Sequence, residues 1–208
     1  MVSRYVIGID EVGRGALAGP VTVGAVALDV SMRFDPAELK RLKLNLRDSK
    51  KLTPAGRKRW VSYLKKRGDI SFKTASVSPK AIDRMNISRA ANLAATKAFV
   101  KLSNQSILRT NPLVFLDGGL YLKGEWGKKL KVRTVIKGDE TIDAVKLASI
   151  VAKVRRDALM VRRHEKYPHY DFPKHKGYGT ARHMRSLRRH GLSDMHRKSF
   201  CGRFLENA

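Results

Sequence analysis

Three short β-branched or apolar runs in this chain each end on a carboxylate, and that recurrence constrains the fold more than any other feature. Tyr5 to Asp10 passes through Val6, Ile7 and Ile9 into Asp10-Glu11; Pro112 to Leu116 stops at Asp117-Gly118-Gly119; Lys131 to Ile136 is followed by Gly138-Asp139. Runs of this length and make-up read as strands, and the second is apolar enough to be buried on both faces. Val21 to Asp29 and Ile70 to Val77 add two more. A Gly-rich stretch ending in Gly19-Pro20 separates the first strand from Val21, which predicts an antiparallel pair.

Helical patterns lie between the strands. Residues 35–66 are charged and helix-tolerant, with Asp48-Ser49-Lys50-Lys51-Leu52-Thr53-Pro54 as a loop feeding a short helix capped by Thr53. Ser78-Pro79 supplies an N-cap and a first-turn proline for an alanine-rich helix reaching about Leu102. A helix from Thr141 repeats Ala144, Ala148 and Ala152 on one stripe, narrow enough to let it lie close against a sheet. From about His164 the chain is basic and irregular, and a helical extension over about residues 165–208 is expected. Interleaved strands and helices make the class α/β. With no internal repeat or composition break, one domain over 1–208 is expected.

Lys and Arg total 44 against 18 Asp and Glu, a formal charge of +26, so the partner is a polyanion. Charge alone does not separate a catalytic protein from a non-catalytic nucleic-acid binder. Hydrophobic residues at 42% are enough for a packed core. The lone Cys201 can form neither an internal bridge nor a zinc cluster, which points to a reducing compartment. The first apolar run meets Asp10 and Glu11, which neither a signal peptide nor a membrane span tolerates, so a cytoplasmic monomer with no membrane partner is expected.

A single Asp before Gly is an ordinary turn or cap residue, but three acidic stops at strand ends can converge. Clustered carboxylates repel unless a cation neutralises them, and hard oxygen ligands select Mg²⁺ or Mn²⁺. Two such ions about 3.5 to 4 Å apart serve in-line displacement at phosphorus, so phosphodiester cleavage is the expected chemistry. Asp10 and Glu11 are adjacent and on a regular strand face opposite sides, so they share a site only if the strand ends or bends there, and Gly13 and Gly15 offer such a bend. Gly13-Arg14-Gly15-Ala16-Leu17-Ala18-Gly19 is not a dinucleotide fingerprint, because Pro20 and Val21-Thr22-Val23 begin a strand where a helix is required. Arg156-Asp157 reads as a structural ion pair at a helix end, and the six histidines as solvated or phosphate-facing. Glu140, directly after Asp139, is a rival ligand.

Ile7-Gly8-Ile9-Asp10-Glu11-Val12-Gly13-Arg14-Gly15 followed by Leu17-Ala18-Gly19-Pro20-Val21 resembles the opening signature of the ribonuclease HII family. The similarity continues in order through Asp48-Ser49-Lys50-Lys51-Leu52, Ile82-Asp83-Arg84-Met85-Asn86-Ile87, Leu116-Asp117-Gly118, Lys137-Gly138-Asp139, the segment from Ala148 to Asp157, and Lys176-Gly177-Tyr178-Gly179-Thr180. The resemblance implies a ribonuclease H-like fold, a central mixed sheet flanked by helices with a basic C-terminal helical appendage. It further implies that Asp10, Glu11, Asp117 and Asp139 are catalytic and hold two Mg²⁺ or Mn²⁺ ions. The implied activity is endonucleolytic cutting of the RNA strand of RNA/DNA hybrids, and 5′ of single ribonucleotides in duplex DNA, leaving 5′-phosphate and 3′-hydroxyl ends. By the same resemblance the Gly13-Arg14-Gly15 backbone reads the ribose 2′-hydroxyl, Tyr178 stacks on the sugar, and Lys50 and Asn86 meet the nucleic-acid backbone. The sister ribonuclease HIII family differs in the residue after the first glycine and carries an added N-terminal domain, so Arg14 and the short N-terminus favour HII.

Overall fold

A computed structural model describes residues 4–46, 49–103 and 105–202, so Asp48 and positions 203–208 of the expected extension lie outside the described residues. In chain order the elements are β1 (Tyr5–Val12), β2 (Val21–Asp29), α1 (Pro36–Arg41), a 3-10 turn (Ser49–Lys51), α2 (Pro54–Lys66), β3 (Ile70–Val77), α3 (Pro79–Met85), α4 (Ile87–Leu102), α5 (Gln105–Leu108), β4 (Leu113–Asp117), α6 (Trp126–Lys129), β5 (Lys131–Val135), α7 (Gly138–Thr141) and α8 (Asp143–Arg163). A second 3-10 turn (Pro168–Tyr170), α9 (Phe172–His175), α10 (Ala181–His190) and α11 (Lys198–Cys201) form the C-terminal appendage.

The strands form one mixed sheet in the order β3-β2-β1-β4-β5. β1 and β2 pair antiparallel, as do β2 and β3, while β4 joins β1, and β5 joins β4, in parallel. The three parallel strands therefore finish at the same end of the sheet, and the acidic stops of the sequence finish with them. That end, outside the carboxyl termini of parallel strands, is where open α/β sheets place their ligands.

Strand alternation decides which side chains go where. Ile7 and Ile9 of β1, with Val21, Val23 and Ala25 of β2, pack against the alanine face of α4 and Phe99. On the opposite face Val26 and Leu28 pack with Leu147, Ala148 and Val151 of α8 and with Trp60 and Leu64 of α2. The small-residue stripe of α8 meets glycines on the strands. A Cβ added to Gly8 would stand 2.1 Å from the Ala144 carbonyl carbon, and one added to Gly24 would stand 2.3 Å from the Ala148 carbonyl oxygen. Helix and sheet thus touch backbone to backbone, and there is no flexible side chain to give way. Gly24→Ala is accordingly expected to cost about 1–3 kcal/mol by overpacking, read as a lowered denaturant midpoint at constant slope. Gly68→Ala, where the added Cβ meets nothing within 4 Å, is the control and should leave the midpoint in place.

Two expectations need correction. The alanine-rich helix does not run unbroken to Leu102: Asn86 adopts φ +69°, closes α3 and caps α4, its side-chain oxygen accepting from the Arg89 amide at 3.0 Å. Helix propensity sums over the run, but a residue able to take a left-handed φ and to cap splits it. The histidines are not all solvated either. His175, His183 and His196 are buried in the appendage, His175 stacked on His183 with ring centroids 4.2 Å apart. They pack around Phe172, part of a small core with Leu17, Ala18, Met160, Tyr170, Leu187, Met195 and Cys201. Neutral imidazole is flat and largely apolar, so it serves as core wherever its ring nitrogens find partners.

Candidate active site

At the carboxyl ends of β1 and β4 opens a cleft of about 300 Å³ whose walls include Asp10, Glu11, Asp117 and Asp139. Asp10 and Glu11 do not reach it through a bend. β1 stays regular and paired with β2 as far as Val12↔Thr22. Gly8 faces α8, so Asp10, two residues on, shares that face and Glu11 takes the other. Both reach the cleft because the pairing of β1 with β4 ends at Ile9↔Leu116, leaving the edge of β1 open just where the two acids sit. Asp117 ends β4 beside Val135 of β5, and the following Lys137-Gly138 turn sets Asp139 in the first turn of α7. Lys137 takes φ +55° in that turn, a left-handed conformation that turns Asp139 inward and leaves Glu140 exposed.

The carboxylates are strained by one another. Burial pushes the Asp10 carboxyl well above its ordinary range, and the neighbouring Glu11 and Asp117 charges add to the shift. Glu11 is raised by burial and by Asp117 against the pull of Arg14, and Asp117 by burial and by Asp139. Each acid has a partial local remedy. Asp10 accepts from the Glu11 amide at 2.7 Å, Asp117 from the Gly138 amide at 2.7 Å, Asp139 from the Lys50 ammonium at 3.2 Å, and Glu11 from Arg14 at 3.4 Å. One oxygen is left over: Glu11 Oε2 is buried with no hydrogen-bond partner. An unpartnered buried carboxylate oxygen among mutually repelling acids, with no sulfur ligand nearby, is the donor set a hard divalent cation fits. Among the described residues no group of three such side chains stands in coordination geometry.

Gly13, Arg14, Gly15, Lys50 and Tyr178 line the same cleft. Tyr178 lies over Arg156 and Lys153, 5.3 and 5.7 Å from its ring centroid. Asn86 is not part of the lining; it lies two residues before Ser88, whose hydroxyl accepts from Arg14 at 2.9 Å. Ser49, Ser149 and Lys153 also line the cleft, although sequence reading did not single them out. Ser149 bonds Asp10 and lies 2.8 Å from the Ser49 hydroxyl. The available signal was their helical spacing: Ser149 and Lys153 share one α8 face next to the Ala144-Ala148-Ala152 stripe.

Arg156-Asp157 is not an ion pair at a helix end. α8 runs on to Arg163, and Asp157 pairs with Lys153 at 3.0 Å and Arg57 at 3.9 Å. Arg156 is fully buried and donates to the carbonyls of Ala18, Pro20 and Lys176 at 2.8–2.9 Å. Residues adjacent on a helix point about 100° apart, so the two side chains enter different surroundings.

The profile of the family described as Ribonuclease HII matches residues 7–203. A protein named Ribonuclease HII from Chlamydia caviae is 41% identical over 195 residues, covering 94% of this chain and 83% of the relative. One of the same name from Azoarcus sp. is 40% identical over 199 residues, covering 95% and 87%. Among solved structures, the ribonuclease H2 from Pyrococcus horikoshii superposes with a TM-score of 0.70 at 24% identity over 98% of each chain, a likeness that bears on the fold.

Proposed function

Because the chain belongs to the ribonuclease HII family, and is as such a metal-dependent endoribonuclease, we propose that it cuts the RNA strand of RNA/DNA hybrids and also 5′ of a single ribonucleotide in duplex DNA. Products carry 5′-phosphate and 3′-hydroxyl ends. The observation that carries this reading is the cleft itself: four carboxylates brought to the carboxyl ends of parallel strands, one oxygen buried and unpartnered, within a chain of net charge +26. Asp10, Glu11, Asp117 and Asp139 are the residues that would hold two Mg²⁺ or Mn²⁺ ions. Bound there, such ions supply Lewis-acid activation of water and stabilisation of the leaving oxygen.

The chain's own groups do the rest. The Gly13-Arg14-Gly15 backbone meets the ribose, where the 2′-hydroxyl distinguishes RNA from DNA. Tyr178, braced over Arg156, offers a flat ring to the adjoining sugar. Lys50, with Lys153 in the same lining, presents cationic charge to the phosphates, and Asn86 at the head of α4 lies further along the backbone path. The exposed arginines of α10 extend the basic surface beyond the cleft. We place the enzyme in the cytoplasm as a monomer formed from one domain over 1–208, with the residues after about 165 as its extension, acting in DNA replication and repair. No described helix is long and apolar enough to cross a membrane.

The direct test is cleavage of a DNA duplex containing one ribonucleotide, run beside an RNA/DNA hybrid and an all-DNA duplex, with Mg²⁺, Mn²⁺ or chelator. A metal-dependent cut 5′ of the ribonucleotide with the DNA control intact is expected. Salt-sensitive binding without cleavage in either metal would replace the proposal with a non-catalytic binding protein.

A further inference from the structure

The turn at Gly13-Arg14-Gly15 leaves the sheet at Val12, with Gly13 at φ +83°, and no ladder holds it. What holds it comes from 184 positions further along the chain. Arg197, fully buried, donates to the Gly13 carbonyl at 2.6 Å, the Arg14 carbonyl at 2.8 Å and the Gly19 carbonyl at 3.0 Å. No carboxylate lies within ion-pair distance of it among the described residues, so the hydrogen bonds of this buried cation go to backbone oxygens while its guanidinium lies over the Phe200 ring, 5.1 Å from the centroid. Desolvating a guanidinium is expensive, and an apolar side chain would fill the space without that penalty.

The geometry has a direct consequence. In a planar trans peptide the C=O and the N–H point in opposite directions. The carbonyls of Gly13 and Arg14 belong to the same peptide units as the amides of Arg14 and Gly15. Pinning those oxygens inward onto one rigid guanidinium turns the two N–H groups away from the interior, on the side of the cleft that Gly13, Arg14 and Gly15 line. Among the described residues neither amide donates to a protein acceptor. A carbonyl that accepts from a cation also polarises its peptide, so those N–H groups are stronger donors.

The segment bearing Arg197 is strapped down on both sides. The Gly19 amide donates to the Met195 carbonyl at 2.7 Å and the Arg197 amide to the Leu17 carbonyl at 2.8 Å. On the far side Asp83 of α3 accepts from the Lys198 and Ser199 amides, each at 3.0 Å. We propose that Arg197 is a positioning residue for ribose recognition, using the C-terminal strap to set the two amides of the Gly13–Gly15 turn toward the 2′-oxygen of the substrate. The proposal rests on the reading that this turn meets the ribose.

The test is made on Asp10→Asn protein, so that binding is measured without cleavage. Dissociation constants are taken for a duplex with one ribonucleotide and for the same duplex in DNA. The parent should prefer the ribonucleotide by about tenfold, the worth of one or two hydrogen bonds. Adding Arg197→Lys keeps the charge but not the planar fork; it should remove most of that preference, about fivefold or more, with the DNA duplex bound as before. If Arg197→Lys does not fold, Asp83→Asn loosens the same strap from a half-buried position and should lower the preference about twofold to fivefold. A preference unchanged in a folded variant, or both duplexes weakened equally, overturns the positioning role. A parent with no preference for the ribonucleotide overturns the ribose reading beneath it, and the role of Arg197 with it.

Discussion

Asp10→Asn should abolish cleavage and, with chelator present, make the protein more stable. For a carboxylate of the proposed metal-holding set the expected loss is at least about a thousandfold in rate. The gain in stability follows from the same residue's discomfort. Asp10 is 4% exposed, and burial together with the Glu11 and Asp117 charges holds its carboxyl above its ordinary range. A carboxylate whose folded pKa is raised costs stability wherever it is ionised above that pKa, and the cost is relieved as pH falls toward the unfolded value. An amide removes the charge at every pH and keeps the geometry: its oxygen can still accept from the Glu11 amide, and its nitrogen can donate to Ser149. A higher melting temperature than that of the parent is therefore expected without metal. Saturating Mg²⁺ should narrow or reverse the difference, because only the intact acid set gains binding energy from the ion. Cleavage near the parent rate, or a lower melting temperature in chelator, would show that Asp10 is not the strained ligand inferred here.

The positions of Asp10, Glu11 and Asp117 were legible in the sequence because they stand at the ends of apolar strands, and that of Asp139 because it follows β5 by one turn; parallel pairing carries such endings to one edge. The antiparallel first pair was legible from the Gly-rich turn before Val21 and the alanine stripe of α8 from its four-residue spacing, whereas the mixed sheet was implied by the family resemblance. What the sequence concealed depends on long-range contact. No local pattern distinguishes the carbonyl-binding Arg156 from its salt-bridging neighbour Lys153, since both stand on one basic helix and only the packed loop from Ala18 to Pro20 decides. The local pattern offers a strand end or a bend for the way Asp10 and Glu11 share a cleft, whereas it follows from where β4 stops pairing with β1. Arg197 sits in a basic segment that composition assigns to solvent, and its burial depends on carbonyls presented by the turn after β1. The same holds for the histidines, whose charge state only their partners reveal.

Those partners fix every tautomer in the cluster, and from them follows a loss of stability on acidification. A carbonyl can only accept, so His183 must carry its proton on Nδ1, 3.0 Å from the Tyr178 carbonyl. Its Nε2 is then the acceptor in the 3.0 Å contact with His196 Nε2, which must donate. His196 Nδ1 is left to accept from the Ser193 amide at 2.9 Å. His175 likewise gives its Nε2 proton to the Tyr170 carbonyl and accepts from the Gly177 amide on Nδ1. A second proton on any of the three would set one N–H against another. Burial, with the neighbouring imidazoles, lowers His183 to about 4, and burial lowers His196 to about 4, against an ordinary 6.5. A base lowered on folding is protonated first in the unfolded chain, so the stability it contributes is complete above about pH 6.5 and drains away as pH falls toward 4. At pH 5 the loss is on the order of 2 kcal/mol for each of the two residues. The carboxylates of the cleft act in the opposite sense over this range, since acid relieves their repulsion, and they mask part of the slope. His183→Phe separates the two contributions. It keeps a flat ring in the stack and loses about 1–3 kcal/mol at pH 7 with its hydrogen bonds, but it has one proton fewer to take up. Denaturant unfolding at pH 7 and pH 5 should therefore show a smaller loss on acidification for His183→Phe than for the parent, and equal losses in the two proteins would refute the neutral cluster.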